Sequence, residues 1–534
     1  MSLLAIPLQP EPQPVAPPPG VPAPPPAPRY IPIDRQQNRF CSLVVERLID
    51  DDHPARKIWH LVGQLDLSGF EQQVRAVEGH AGRNAHSPQL LIALWIYAYS
   101  RGIHSAREIE RQMDYEPALR WLTGLETVNH HTLSDFRVAH AEALRELFTQ
   151  VLGMLTMQGL ITLERVATDG TKVRANVNKK SFVREQKIRE HLQAARQHIA
   201  ELERQEADEQ TTKRQQAARE RARREQAERL EEALAEVQKL RASQKPAKQT
   251  AKQQDQESAP GKNKKKQKEP QVSTTDPQVR FMKTSDNGLA PSVNVQVTAD
   301  AAHGLIVDVE VVNDPQDARQ LIPAMERIKE NFGCDPGQAL ADAGYTNHES
   351  VVEMAQRGVD YYGSLTGRTE HKSGCGAQRH PAYQLDKFEY DEKSNEKICP
   401  EGKRLRQIQA RPLSGGREIK VWAAGAADCR ACAAQKDCCP GNKLNHHGRT
   451  VSQQTVHAAF AAFDEKMQSD AGKAIYKQRA PLIEFRNAWM KEKFKLRRFA
   501  TRGLKKVGCE AFWAALTYNL QTYFRIQTEL AMAG

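Results

Sequence analysis

From Thr171 to Lys245 the chain contains neither glycine nor proline. Nothing in that stretch breaks a helix, and its apolar residues fall at helical spacing. Ile188, Leu192, Ala195, Ile199 and Leu202 step by four and three, and Leu230, Ala233, Val237 and Leu240 step by three and four. Each set is a heptad-like seam that is buried only against another helix. The polar run QEADEQTTK separates them. The pattern predicts a helical hairpin, or a long coiled-coil arm, over 181–245, with a single solvated charged helix as the alternative. Its flanks are of another kind. Residues 246–272 are rich in Lys and Gln, with five lysines in 261–268, which reads as a basic disordered linker. Residues 1–32 hold thirteen prolines, so 1–35 is expected to be an extended, unpacked tail.

On either side of the arm the texture differs. Residues 36–160 read as all-helical. Ser87-Pro88 supplies an N-cap and a proline at N1 for an apolar helix ending at Gly102, and Ser105 to Glu108 is a capping box. A longer helix is expected from His131 to about Gln158, with His130 and His131 capping or packing at its start. Short helices with tight turns fit a helix-turn-helix-like DNA module or a packing bundle. After Gly159 the strand ITLERVATDG is expected to end at Asp169-Gly170. The hairpin PSVNVQVTAD/GLIVDVEVVND, a helix over 317–333, a strand over 338–342, a helix over 347–358 and a strand over 359–365 follow. Residues 366–455 lose periodicity, and helices return over 456–534. The fold class expected is multidomain α and α/β: a helical N-terminal domain and a mixed-sheet core in two parts (161–180 and 273–365), with a helical-hairpin insertion and a cysteine-rich insertion.

Charge and chemistry narrow the function. The net charge of +11, from 77 Lys+Arg against 66 Asp+Glu, favours a polyanionic partner. No apolar run approaches the ~20 residues that span a bilayer, and the start lacks the features of a secretory signal. No membrane partner is therefore expected, and the expected location is cytoplasmic, at the nucleoid. Asp169 and Asp342 fall at strand ends and Glu484 on a C-terminal helix, so a sheet with a helix packed over it could gather three hard oxygen donors. An Asp at a strand end equally well caps a turn. Cys399, Cys429, Cys432 and Cys438, followed by Cys439, contain one CxxC and fit a tetrahedral zinc site or a set of reduced structural thiols; His446 or His447 could replace one ligand. Cys439 is expected to point away. The stretch from Lys491 through Lys506 is basic with Phe494 and Phe499 interleaved, which suits backbone phosphates.

Several strings then match in order: VATDGTK (166–172), STTDP (273–277), ADAGY (341–345), and Tyr476-x-x-Arg479-x-x-x-x-Glu484 with Lys491. Together with YAYSRG (97–102), SAREIE (105–110) and HTLSDFR (131–137), they resemble bacterial insertion-sequence DDE transposases with a ribonuclease-H-like catalytic core, over roughly residues 36–525. The resemblance implies Asp169, Asp342 and Glu484 as a triad for Mg²⁺ (or Mn²⁺). It implies that Tyr476, Arg479 and Lys491 support the Glu and touch transposon-end DNA. Arg137 and Lys172, inside the matching strings, are further DNA-binding candidates. Double-stranded DNA is the expected partner and a homodimer the expected active form. Departures from the family pattern are Val128-Asn129-His130 before the His-Thr string, Ile483 for the usual Val, and Asn487 where an aromatic is usual, with Phe485 one place after the Glu. The rivals are a metal-dependent nuclease that cuts without joining and a non-catalytic DNA-binding relic or repressor.

Overall fold

The computed structural model describes residues 42–74, 76, 84–204, 213–243, 269–284, 288–364, 380–412, 418–440, 446–454 and 457–533. The proline-rich tail and nearly all of the basic linker lie outside these residues. Val45–Gly534 is one compact unit. Among the described residues, no helix is long and apolar enough to cross a membrane.

Local signals start the N-terminal helices. Helix α1 (Pro54–Val62) begins where His53 Nδ1 accepts from Ala55 N at 3.1 Å, and α2 (Ser68–Glu71) is a single turn. Helix α3 (Pro88–Ser100) opens on the Ser87 cap with Pro88 at N1, and it is buried almost all round. Ser105 caps α4 (Ala106–Gln112), Glu116 caps α5 (Pro117–Thr123), and Asn129 caps α6 (His130–Ala139). The long helix expected from His131 to Gln158 is in fact two, α6 and α7 (Ala141–Met157). The break is His140, whose backbone leaves the helical region while its ring packs on Phe70 and Phe136.

A six-stranded mixed sheet follows. Strand β1 (Arg165–Arg174) does not end at Asp169-Gly170 as expected but runs on past them. It does so because a long partner continues alongside: Val166 to Arg174 pair antiparallel with Asp300 to Ser292 of β5 (Leu289–Asp300). The segment between these two strands contains β2 (Phe182–Val183), helices α8 (Glu185–Arg204) and α9 (Lys213–Ser243), β3 (Val272–Ser273) and β4 (Arg280–Lys283). Strands β2 and β3 form their own short ladder, while β4 joins the sheet at one end of β5. Strand β6 (Ile306–Val312) pairs antiparallel with β5, forming the expected hairpin. Its turn ends at Gly304, where φ is +68°, a left-handed conformation that strains other residues, and the Arg486 guanidinium lies where a Cβ would go and would have to shift. Helix α10 (Leu321–Phe332), β7 (Gln338–Ala341), α11 (His348–Gln356) and β8 (Asp360–Gly363) complete the layer. Strands β7 and β8 are parallel to β1, giving the order β4-β5-β1-β7-β8 with β6 beside β5.

The two seams of the arm face each other. Ile188, Leu192 and Ala195 of α8 pack with Ala227, Leu230, Ala233 and Val237 of α9 in a cluster separate from the main core. Arg196–Glu231 (2.7 Å) and Arg241–Glu185 (2.6 Å) add rungs. At the base Glu236 pairs with Arg280 of β4.

The cysteine-rich segment, which reads as aperiodic, is a second sheet. Strands β9 (Glu389–Asp391), β10 (Glu396–Ile398), β11 (Arg404–Pro412), β12 (Glu418–Ala424) and β13 (Thr450–Gln454) run antiparallel in the order β13-β12-β11-β10-β9. Two short helices, α12 (Ala426–Arg430) and α13 (Gln435–Cys438), sit between the last two strands. A small core of Phe388, Leu405, Trp422, Ala424 and Val451 holds it. Finally come α14 (Ala458–Gln468), α15 (Asp470–Tyr476), α16 (Arg479–Glu492) and α17 (Leu504–Ala533).

Helix α17 joins the two large regions. It packs on α3, α6 and α7 on one side and on β6 on the other, so the N-terminal helices and the sheet share one apolar core. Asn519 bonds both backbone groups of Ile306, at 2.8 and 2.7 Å, and Trp513 Nε1 donates to Arg137 O at 3.2 Å.

Candidate active site

Register brings the first two acids together. Thr168 of β1 lies beside Ala341 of β7 in parallel pairing, so Asp169 and Asp342 are the residues that follow on the two neighbouring strands, Asp342 just past the end of β7. Asp169 is therefore inside its strand rather than at its end. Its Oδ1 accepts from Gly170 N at 2.9 Å, and Asp342 Oδ1 accepts from Gly344 N at 2.7 Å. Burial pushes the Asp169 carboxyl up to about 6; Arg479 opposes that rise, and the charges of Asp342 and Asp317 add to it.

Helix α16 packs over β1 and β5. Asn487 is nine-tenths buried on this helix, and its Nδ2 donates to Asp169 Oδ2 at 3.1 Å. Glu484 is three residues earlier, on the same helical face. Its side chain is largely exposed and accepts from Arg479 Nη2 at 3.2 Å, whereas Arg479 is largely buried. Among the described residues, no three His, Cys, Asp or Glu side chains converge to hold an ion. Asp169 and Asp342 are neighbours, and Glu484 is turned onto Arg479.

A second layer, missing from the sequence reading, lies on the strand face that carries Gly170 and Lys172. Asp317, in the loop before α10, accepts from Asn294 (2.7 Å), Gln296 (2.8 Å) and Lys172 (3.0 and 3.1 Å). A Cβ on Gly170 would lie 2.4 Å from Asp317 Oδ1 and 2.6 Å from Gln296 Nε2. The glycine of the TDG string is thus where a carboxylate comes down onto the strand. Tyr345 OH donates to Gln296, and burial first, then the charges of Asp317, Asp169 and Asp342, hold the phenol well above its ordinary range. The only sequence signal for this network is the polar Asn294 and Gln296 within an otherwise valine-rich strand.

Two DNA-binding candidates are placed elsewhere than expected. Lys172 is mostly buried and ion-paired to Asp317, so its charge is already matched. Arg137 is 5% exposed, donates to His104 O at 2.7 Å, and lies 3.9 Å from the fully buried Glu510; no phosphate reaches it. Tyr476, at the end of α15, and Lys491, in the last turn of α16, are half-buried. The STTDP string is structural. Asp276 accepts from Gly503 N at 2.8 Å, and Gln278 beyond it accepts from Leu504 N at 2.7 Å, which caps α17 from a distant part of the chain.

Cys399, Cys429, Cys432, Cys438 and Cys439 line one cavity beside the second sheet. Cys439 does not point away as expected; it is buried, lines the same cavity and is hydrogen-bonded to Cys438, both thiols being free. Lys403 N donates to Cys399 Sγ and Arg449 N to Cys429 Sγ, both at 3.2 Å. His446 and His447 are exposed and outside the cavity lining.

Two stretches of the chain match protein families. Residues 398–524, which include Glu484 and the cysteines but neither Asp169 nor Asp342, match the Transposase DDE domain. Residues 43–139 match the Transposase domain (DUF772). No curated protein and no solved structure matches the chain.

Proposed function

We infer that this chain is an insertion-sequence DDE transposase, the reading that both family matches support, and propose that it cuts DNA at inverted terminal repeats and joins the ends to a target. The observation that carries the proposal is the Asp169–Asp342 pair on adjacent parallel strands, with the Glu484-bearing helix docked on it through Asn487. The strand arrangement, three antiparallel strands (β6, β5, β1) continued by two parallel ones (β7, β8), supports a ribonuclease-H-like core. In this reading the helical region over 43–139 binds the terminal repeats, and two chains act together on paired ends.

Divalent metal use is a property of the DDE family. The residues present fit it: two neighbouring carboxylates of hard oxygen donors, one of them buried, with a third acid one helix away. Asp169, Asp342 and Glu484 would hold Mg²⁺ or Mn²⁺. Such ions would supply Lewis acidity, which makes a water or hydroxyl oxygen a better nucleophile toward phosphorus. The chain's own residues position the rest. Gly170 N and Asn487 fix both oxygens of Asp169. Arg479 is paired with Glu484, and its charge would suit a scissile phosphate held near the acids. No covalent bond between protein and DNA is required, because alignment and charge do the work.

The test uses labelled duplexes bearing the inverted repeats that bracket the gene. Asp169→Asn, Asp342→Asn and Glu484→Gln should each abolish Mg²⁺-dependent cleavage while DNA binding persists. Cleavage without joining by the unsubstituted chain would make it a nuclease, and binding without cleavage would make it a DNA-binding relic.

We also propose that the cysteine cavity takes up zinc, with the thiols, which are not gathered around one point here, closing on the ion. Five thiols line one cavity, and two of them receive backbone N–H bonds of the kind that support thiolate ligands. A zinc ion held by Cys399, Cys429, Cys432 and Cys438 would stabilise the small second sheet. Metal analysis should find about one zinc per chain, and folded protein that contains none as purified and takes up none when zinc is added would remove the proposal.

A further inference from the structure

Strand β1 carries Asp169 and ends at Arg174 against a loop dense in positive charge. Between residues 493 and 506 stand Lys493, Lys495, Arg497, Arg498, Arg502 and the Lys505–Lys506 pair, with no acid among them. All seven cations are exposed, while Phe494, Leu496 and Phe499 between them are 0%, 1% and 1% exposed. The interleaved aromatics are therefore anchors in the core, not platforms for bases, and only charge faces outward.

The loop is held from four directions. Arg174 N donates to Arg497 O (3.2 Å) and Phe499 N to Arg174 O (3.0 Å). Asn176 Nδ2 donates to Ala500 O (2.8 Å), and Arg502 Nε returns a bond to Asn176 O (2.9 Å). Glu510 accepts from Ala500 N (3.1 Å) and Thr501 N (2.7 Å), and Asp276 takes Gly503 N. Near it, Glu492 pairs with Arg497, and Glu142 lies 3.8 Å from Lys505. Lys495, Arg498 and Lys506 have no ion pair among the described residues. Exposed Lys179 and Lys180 follow Asn176 closely and extend the same charge. Fixing like charges side by side costs free energy that a polyanion offsets, and cations already held in place lose little freedom on binding it.

The spacing to the acids is short. Arg174 is five residues along β1 from Asp169, about 17 Å at ~3.3–3.4 Å per strand residue, or about five steps of duplex at ~3.4 Å each. We propose that this loop, with Arg174, grips the phosphate backbone of duplex DNA about five base pairs from the phosphate being cut, without reading base sequence. The proposal rests on the transposase reading and says which surface steadies the DNA beside the acidic pair.

The experiment measures how DNA affinity of the full chain falls with salt, on duplexes carrying the sequence that flanks the gene and on unrelated duplexes. Each phosphate contact contributes about 0.9 to the slope of log affinity against log salt. Lys495→Gln/Arg498→Gln/Lys506→Gln should lower that slope by about 2 to 3, equally on both duplexes. Lys495→Arg/Lys506→Arg, which keeps the charge, should leave it alone. So should Lys393→Gln/Lys403→Gln/Arg406→Gln, which removes as many exposed cations from the second sheet. An unchanged slope in the first variant overturns the proposal, as does an equal drop in the second-sheet control or a loss confined to the flanking sequence. If the unsubstituted chain shows no salt-dependent binding to any duplex, the transposase reading itself fails, and the surface fails with it.

Discussion

Asn487 shows how one side chain can join two elements of a site. It stands where the resembling family usually has an aromatic, yet it donates to Asp169 at 3.1 Å and leaves a buried Oδ1 with no partner among the described residues. A buried acceptor of that kind is satisfied by a donor entering the site. Asn487→Leu keeps the volume and removes the donor. A hydrogen bond to a charged group contributes about 1.5–3 kcal/mol, so cleavage should fall at least about tenfold and need more Mg²⁺ for half-maximal rate. Asn487→His, which can still donate, should recover part of the rate. A plain loss of thermal stability with an unchanged Mg²⁺ requirement would show that Asn487 only packs. That Asp169 and Asp342 would come to neighbouring strands is legible in the sequence, because short strand patterns and the TDG and ADAG strings mark them; their catalytic role remains the proposal. Asn487 and Asp317 are not, because their roles come from residues far away in the chain that the fold brings beside them. Lys172 misleads for the same reason: its carboxylate partner lies 145 positions away.

At the scale of elements, helix period is the more readable signal. The seams of α8 and α9 are visible because each heptad stripe is uninterrupted and the chain between Thr171 and Lys245 has no helix breaker. The second sheet is hidden because β11 reads RLRQIQARP, with polar residues on both faces, and only one side covers a small core. Strand β1 is half-legible: its beginning alternates clearly, but its continuation depends on β5 more than a hundred residues later. The arm has its own core, so damage there should stay there. Leu230→Ala should destabilise the hairpin by about 2–5 kcal/mol, read as faster amide exchange across 185–243 with exchange in β1 and β5 unchanged. Equal loss of protection in the sheet would mean that arm and sheet unfold as one unit.

The whole molecule is bound together at the Arg137–Glu510 junction, where α6 meets α17. Arg137 lies over Trp95, with its CZ 4.8 Å from the ring centre, and beside the fully buried Glu510. Removing one member of such a pair leaves the other buried without a counter-charge, which costs about 3–5 kcal/mol. Arg137→Ala should therefore lower the melting temperature of the whole unit in a single transition, without changing the salt dependence of DNA binding. Two separate transitions would show that helices and sheet are independent bodies. The position of α17 also has a consequence for synthesis. The apolar faces of α3, α6 and α7 are made first, but the helix that covers them is made only at residues 504–533. A nascent chain must hold those faces open while the more than three hundred residues between α7 and α17 are made. Any product that stops before Leu504 is left with an uncovered hydrophobic face, which makes it prone to aggregation.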